Sequence, residues 1–552
     1  MTRTIIEQLA EFTTHAQFDL LPPTVVGECK RAILDSIGCA VAGIDHPKGR
    51  AGIQYGQIMG GGSRDATIMG TSDRVSVFGA AFANAELINA LDGDAVLLPG
   101  HVSPYVLPGA LAVAEMKGTT GKELLVAAAV AHEMSFRFGK ALANQRDTVD
   151  GKAISPKVFG NASAIFGSTA AVGRLKGHSS STIAHALGIA AYISPVNSQV
   201  AWFKHPPSST LKYIYAGMLA QQAMTSAYSA ELGHIGDLHV LDDAEYGYAV
   251  FIGSTKWEPE QITDGLGTDW RCPAAMTYKL YPHNRVAHTA IDCVIDIVRE
   301  NDLEPAEIES IVAYVEAIGV QPVWLNRKID NVQDAQFSMP HGIAVAAHRV
   351  APGKAWQDPA FVFSRSVMSL MDRVTTHAHA DFARLLEAEP ASRPARVEVR
   401  ARGKTHVMER RYPKGSPSPE TSTYMTDDEL IQKFRHNCEG VLPANGIDRI
   451  VDDVMNLETV TNIAAVMRLS GTTIGARPAQ APSESVAAAW PGIAAQGEHG
   501  DRKLDGHSEE LLHMVFSVRV FFFSVRSFTI VAIVKGSRTM PVASRTARTD
   551  RP

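Results

Sequence analysis

Residues 75–90 read VSVFGAAFANAELINA, and residues 91–104, which follow, read LDGDAVLLPGHVSP. The first stretch is apolar or small at almost every position, so no stripe divides a wet face from a dry one. A helix of that kind is buried on most sides and needs other helices around it. Upstream, Val26, Cys29, Ile33, Ile37 and Ala40 recur at spacings of three and four between the Pro22-Pro23 opening and the Gly43 stop. Downstream, helical segments are expected near 107–116, 122–138, 162–175, 182–193 and 216–232, and their small residues permit close helix–helix approach. The reading is a mainly α fold with a large all-helical domain.

The pattern changes after about residue 264. Residues 310–315 and 395–401 (ARVEVRA) carry β-type residues, the second with alternation, and helices are expected near 288–299 and 341–346. This reads as a smaller inserted α+β lid domain. Helix returns at 427–438 and 446–467. The expected organisation is therefore 1–265 helical, 266–410 α+β lid, 411–470 returning helical segment and 471–552 atypical tail. Within the tail, 476–497 is linker-like. Residues 511–534 are apolar but contain Arg519 and Arg526. Each arginine would cost about 2.5–3.5 kcal/mol at the centre of a span, so the reading is against a membrane segment.

Over 552 residues the formal net charge is −6, which argues against a nucleic-acid partner. The odd set Cys29, Cys39, Cys272, Cys293 and Cys438 contains no C-x-x-C pair. A disulfide framework, a structural zinc site and an iron–sulfur cluster are disfavoured, and a reducing cytoplasm fits. The N-terminal stretch has no apolar signal region.

Three stretches carry chemistry. The first is the loop with Asp92, Asp94 and His101 between two buried helices, where helix capping is the bland alternative. The second is STLKYIYAG, residues 209–217, which opens on Lys212 before an apolar run. Desolvation there can lower an ammonium pKa, while a snorkelling helix-start lysine is the alternative. The third is YKLYPHNRVAH, residues 278–288, with Lys279, His283, Asn284, Arg285 and His288. Such a cluster suits several carboxylates, and a solvated basic turn is the alternative. Two decoys stand beside these. His377-x-His379-x-Asp381 matches part of a metallohydrolase motif. Ser209-x-x-Lys212 matches a β-lactamase motif without its partner motifs.

Together with LDSIGCAVAG at 34–43, AQFSMP at 335–340 and DELIQKF at 428–434, these stretches resemble the MmgE/PrpD family over residues 5–469. The resemblance implies a helical domain built from both chain ends, an α+β lid, a site between them, a homodimer, and neither metal nor cofactor. It assigns Asp92, His101, Lys212 and Lys279 as catalytic, and His283, Asn284, Arg285 and His288 as substrate-binding. It implies a hydro-lyase of propionate metabolism that dehydrates a tricarboxylate such as 2-methylcitrate. His101 or Lys212 would act as base, oriented by Asp92. The alternatives are a cis-aconitate-type decarboxylase, a dicarboxylate epimerase, a metallohydrolase using His377 and His379, and a non-catalytic polycarboxylate binder. Departures are Ala95-Val96, where many members carry Asp-Thr, the lack of histidine in 152–160, and Asn284, where decarboxylases often carry histidine.

Overall fold

The computed structural model describes residues 3–149, 152–153, 156–196 and 198–474; side chains of 148–155 are not described. The linker-like 476–497 and apolar 511–534 stretches lie outside these residues. Among the described residues, no helix is long and apolar enough to cross a membrane.

The fold is mainly α with a smaller α+β part. Helix Val77–Ile88, capped by Ser76 Oγ accepting from Gly79 N, buries every residue except Phe78. Helices Pro23–Ala42, Pro47–Met59, Ser103–Lys117 and Ala216–Glu231 pack around it. Glycine makes the closest crossing possible. A Cβ at Gly79 would stand 2.3 Å from Gly56 O, and one at Gly56 would stand 2.6 Å from Gly79 O. Further helices Gly121–Ala141, Ala164–Lys176 and Ser180–Tyr192 complete the bundle, close to the ranges the sequence suggests.

Helix Asp427–Cys438, late in the chain, returns to pack on Pro23–Ala42. The single helix expected over 446–467 is two helices, Ala444–Met455 and Ile463–Ser470. Asn456 ends the first, and Asn462 caps the second by accepting from Ala464 N at 2.9 Å.

The α+β part is a four-stranded sheet. Strands β1 (Ile308–Val315), β2 (Val374–Ala378), β3 (Ala395–Ala401) and β4 (Lys404–Arg410) lie in the order β2-β1-β3-β4. β2 runs parallel to β1, and the other two pairs are antiparallel. Arg402 and Gly403, at φ 51° and 71°, close the two-residue β3–β4 hairpin. Both lie in the left-handed region that a type I′ turn requires. Helix His288–Glu300 covers β3 and β4. The decoy His377 lies on β2 beside Tyr314, while His379 Nδ1 accepts from Asp381 N and its Nε2 faces Glu409 at 3.5 Å. All five cysteines are free and buried.

Candidate active site

After helix Val77–Ile88, Asn89 adopts the last helical turn and Asp92 reverses the chain with φ 55°. A helix end leaves carbonyls without intrahelical partners. Here they accept from outside the helix. Lys212 Nζ donates to Asn89 O at 2.7 Å, and Gln336 Nε2 donates to Ala90 O at 2.7 Å. The carbonyls that end one helix thus help to set the positions of two distant segments.

Lys212 itself sits at φ 60°, just before helix Ala216–Glu231. That helix is registered by Glu86, whose Oε1 accepts from Gly217 N at 2.8 Å. Lys279 lies on a segment tied to the Asp92 loop by paired bonds between Val96 and Thr277.

These elements converge on one carboxylate. Asp92 Oδ1 lies 2.9 Å from Lys212 Nζ, and Oδ2 lies 2.6 Å from Lys279 Nζ. Lys279 Nζ also donates to Asp92 O at 2.8 Å. All three side chains are 1% exposed. Burial alone would raise the Asp92 carboxyl. Lys212, then Lys279 and His101, outweigh it and hold the group well below the ordinary carboxylate range. One carboxylate cannot neutralise two ammonium groups. Burial accordingly takes the Lys279 ammonium below its ordinary value despite Asp92.

His101 completes the cluster. Its Nδ1–H donates to Asp94 Oδ2 at 2.6 Å, while Nε2 stands 3.6 Å from Asp92 Oδ1. An ionised carboxylate only accepts, so Asp94 fixes the proton on Nδ1 and leaves Nε2 facing Asp92. Asp94 opposes its own burial through His101 and stays below the ordinary carboxylate value. The expected orienter was Asp92, and the structure gives Asp94 that contact. In Asp92-Gly93-Asp94 the spacing alone does not say which carboxylate faces the imidazole.

Asp92, Asp94 and His101 also have ligand atoms within 4.8 Å of one another. An ion there would press against two ammonium groups, so the donor set suits proton handling better than metal binding.

The residues expected to bind substrate flank Lys279 and are buried rather than solvated. Asn284 Nδ2 donates to His283 Nδ1 at 2.9 Å, and His283 Nε2–H donates to Ser338 O at 3.2 Å. Burial, with help from His341, pushes His283 down to about 4. Arg285 Nη1 donates to His288 Nδ1 at 3.0 Å, which leaves His288 Nε2–H to donate to His283 O at 3.1 Å. Burial and Arg285 hold His288 well below its ordinary value, so it is neutral. Arg285 also reaches Lys414 O and Ser416 Oγ, and its Nε has no partner among the described residues.

An aromatic wall adjoins the cluster, and the sequence reading did not single it out. Lys212 Nζ lies 5.4 Å from the Phe337 ring centre, and Trp202 packs edge-on against both Phe337 and Tyr213. The Tyr213 ring is 6.0 Å from that of His101. A cavity of about 690 Å³ lies beside the same loop, lined in part by Val96, Gly100, Arg146, Thr277, Arg393 and Ser416.

The sequence model of the MmgE/PrpD N-terminal domain matches residues 7–260, and that of the C-terminal domain matches residues 281–457. The chain belongs to the MmgE/PrpD family. Residues 261–280, which include Lys279, fall between the two matches. Cis-aconitate decarboxylase-like protein oryM of Aspergillus oryzae is 23% identical over 491 residues, which cover 84% of this chain and 97% of that protein. Human cis-aconitate decarboxylase is 26% identical over 318 residues, 56% of this chain and 63% of that protein. The mouse enzyme is 23% identical over 500 residues, 85% of this chain and 94% of that protein.

Proposed function

We propose that this chain is a lyase that acts on a small tricarboxylate through a carbanion formed next to a carboxylate. The observation that carries the reading is the single Asp92 carboxylate shared by Lys212 and Lys279, with the His101–Asp94 pair alongside. Removing a proton α to a carboxylate needs a placed base and cations that hold the developing charge. His101 Nε2 is the base in this scheme, because Asp94 supports the imidazolium that forms. The two ammonium groups hold the enolate-like oxygens, and one of them protonates a departing hydroxyl. Arg285, with His283, Asn284 and His288 around it, serves the remaining carboxylates. No cofactor enters this scheme. Dehydration of a 2-methylcitrate-like substrate is the product the scheme leads to.

A second reading is favoured by the aromatic wall of Trp202, Tyr213 and Phe337. Apolar surroundings disfavour a carboxylate relative to the carbon dioxide it would become. The relatives named as cis-aconitate decarboxylases support the same alternative. In both readings a carbanion is formed or trapped at the same cations.

Incubation with 2-methylcitrate, citrate and cis-aconitate in deuterium oxide, followed by NMR, separates the outcomes. Loss of water gives an unsaturated tricarboxylate, loss of carbon dioxide gives a dicarboxylate, and exchange alone gives an epimerase. No turnover and no deuterium incorporation with any of them ends the lyase proposal. The homodimer that accompanies the family resemblance is likewise a proposal, checked by the mass of the protein in solution.

A further inference from the structure

The blocks LDSIGCAVAG at 34–43 and DELIQKF at 428–434 take no part in the chemistry above, yet they meet directly behind it. Asp35 projects from helix Pro23–Ala42 and Lys433 from helix Asp427–Cys438. The helices approach closely because Gly38 faces Phe434, where a Cβ would come within 2.9 Å of the ring. Lys433 Nζ donates to Asp35 Oδ1 at 2.6 Å and to Gly93 O at 2.7 Å. The other oxygen, Asp35 Oδ2, accepts from Ala95 N at 3.1 Å.

One ion pair therefore grips the backbone on both sides of Asp94 and immediately after Asp92. We infer that Asp35 and Lys433 are positioning residues for the site, clamping residues 93–95 so that Asp92 faces the two lysines while Asp94 faces His101.

Asp92 is a non-glycine residue at φ 55°, a conformation that persists only where its surroundings over-determine it. Lys212 and Lys279 hold the side chain of Asp92, and Lys279 also holds the Asp92–Gly93 peptide through Asp92 O, but neither reaches the next two peptide planes, on either side of Asp94. The clamp does, through one carbonyl and one amide.

The pair is also well suited to hold its geometry. Asp35 is 3% exposed, so the contact is poorly screened by solvent. Burial opposes both charges: at Lys433 the Asp35 carboxylate more than offsets it and holds the ammonium above its ordinary value, while at Asp35 burial outweighs Lys433 and raises the carboxyl. A pair that only joined two helices would need no bond to Gly93 or Ala95. Here each partner spends one hydrogen bond on the loop.

The kinetic part of the test rests on the lyase reading, and the structural part does not. Lys433→Met and Asp35→Asn are made in the full chain. Each is crystallised, and each is assayed on the tricarboxylate that the wild type turns over. The expected result is that Asp92 leaves the left-handed region or loses its contact with Lys279. With it, kcat falls about tenfold or more, while KM changes less than about threefold. A merely structural pair would lower the melting temperature and leave Asp92, kcat and KM of the folded protein alone. Asp92 unmoved in a folded variant overturns the proposal whatever the rate. If Lys433→Met does not fold, Asp35→Asn decides, since it keeps an oxygen for Ala95 N while it replaces the charged acceptor of Lys433 by an amide donor. A wild type inactive on every tricarboxylate sinks the lyase reading and leaves the crystallographic result to judge the clamp.

Discussion

Asp92 and Lys212, joined by an ion pair of 2.9 Å, both hold their backbones in the left-handed region, at φ 55° and 60°. For L-residues this costs roughly 1–2 kcal/mol each. The strain sits at the charge cluster and is held there by the ion pairs and by the backbone bonds around them.

Lys212 allows the strain to be measured apart from the chemistry. Lys212→Ala and Lys212→Gly both remove the amine and should both abolish turnover. Glycine adopts φ 60° without a Cβ clash, so Lys212→Gly should be the more stable by about 0.5–1 kcal/mol, net of its greater unfolded freedom. Urea denaturation of the two variants gives the answer. Equal stability, or a more stable alanine variant, would show that the backbone is unstrained.

Removing the shared carboxylate should be costly. Asp92→Asn strands two buried ammonium groups and is expected to destabilise the fold by about 3–5 kcal/mol. Adding Lys279→Met removes one stranded charge, so the double variant should recover about 1 kcal/mol or more despite carrying a second substitution. Additive destabilisation in chemical denaturation would contradict this account of the cluster.

Asp94→Asn keeps the side-chain shape and one acceptor oxygen but removes the negative charge that holds the proton on His101 Nδ1 and supports the imidazolium. Turnover should fall about 10²-fold, the low end expected for losing a well-placed general base. The fold should suffer less than with Asp92→Asn, because Asp94 pairs with one imidazole rather than two ammonium groups. Wild-type kcat in this variant would remove His101 from the proposed base role.

His132 supplies a pH test away from the chemistry. Its Nδ1–H donates to Ala128 O at 2.8 Å, its Nε2 accepts from Ser103 Oγ at 3.1 Å, and burial pushes it from 6.5 to about 4. With the folded value below the unfolded one, its contribution is complete above pH 6.5 and is lost as pH falls through 6.5 toward 4. At pH 5 the loss is about 2 kcal/mol relative to pH 7. The wild type should lose that much more stability between pH 7 and pH 5 than His132→Gln does. Matching losses would mean that His132 already titrates normally in the folded protein.

Much of the helical body is legible in the sequence because its periodicity and stops are local. Pro22-Pro23 and Gly43 bracket the first long helix, and the small, apolar 77–88 segment announces its own burial. The strands β2 and β4 escaped the reading. β2 is a five-residue edge strand whose His377 reads as part of a metal motif, and β4 is exposed at most positions, so neither shows a clear alternation.

At the site, resemblance groups Asp92, His101, Lys212 and Lys279, and the chain does bring them together. The partner of His101 was not legible, because left-handed φ at a non-glycine residue leaves no compositional mark. Nor were the roles of Gln336, Asp35 and Lys433, each of which acts on the main chain of a distant segment. Such bonds depend on tertiary geometry that no local window contains.

The return of helix Asp427–Cys438 to the first long helix also has a consequence for biosynthesis. A ribosome delivers the Asp92 loop hundreds of residues before Lys433 leaves the exit tunnel, so the nascent chain must carry buried-type charges without their final support. Assembly of the helical body is therefore obliged to be late, and a chain truncated before residue 427 would be a substrate for chaperones and proteases rather than a smaller enzyme.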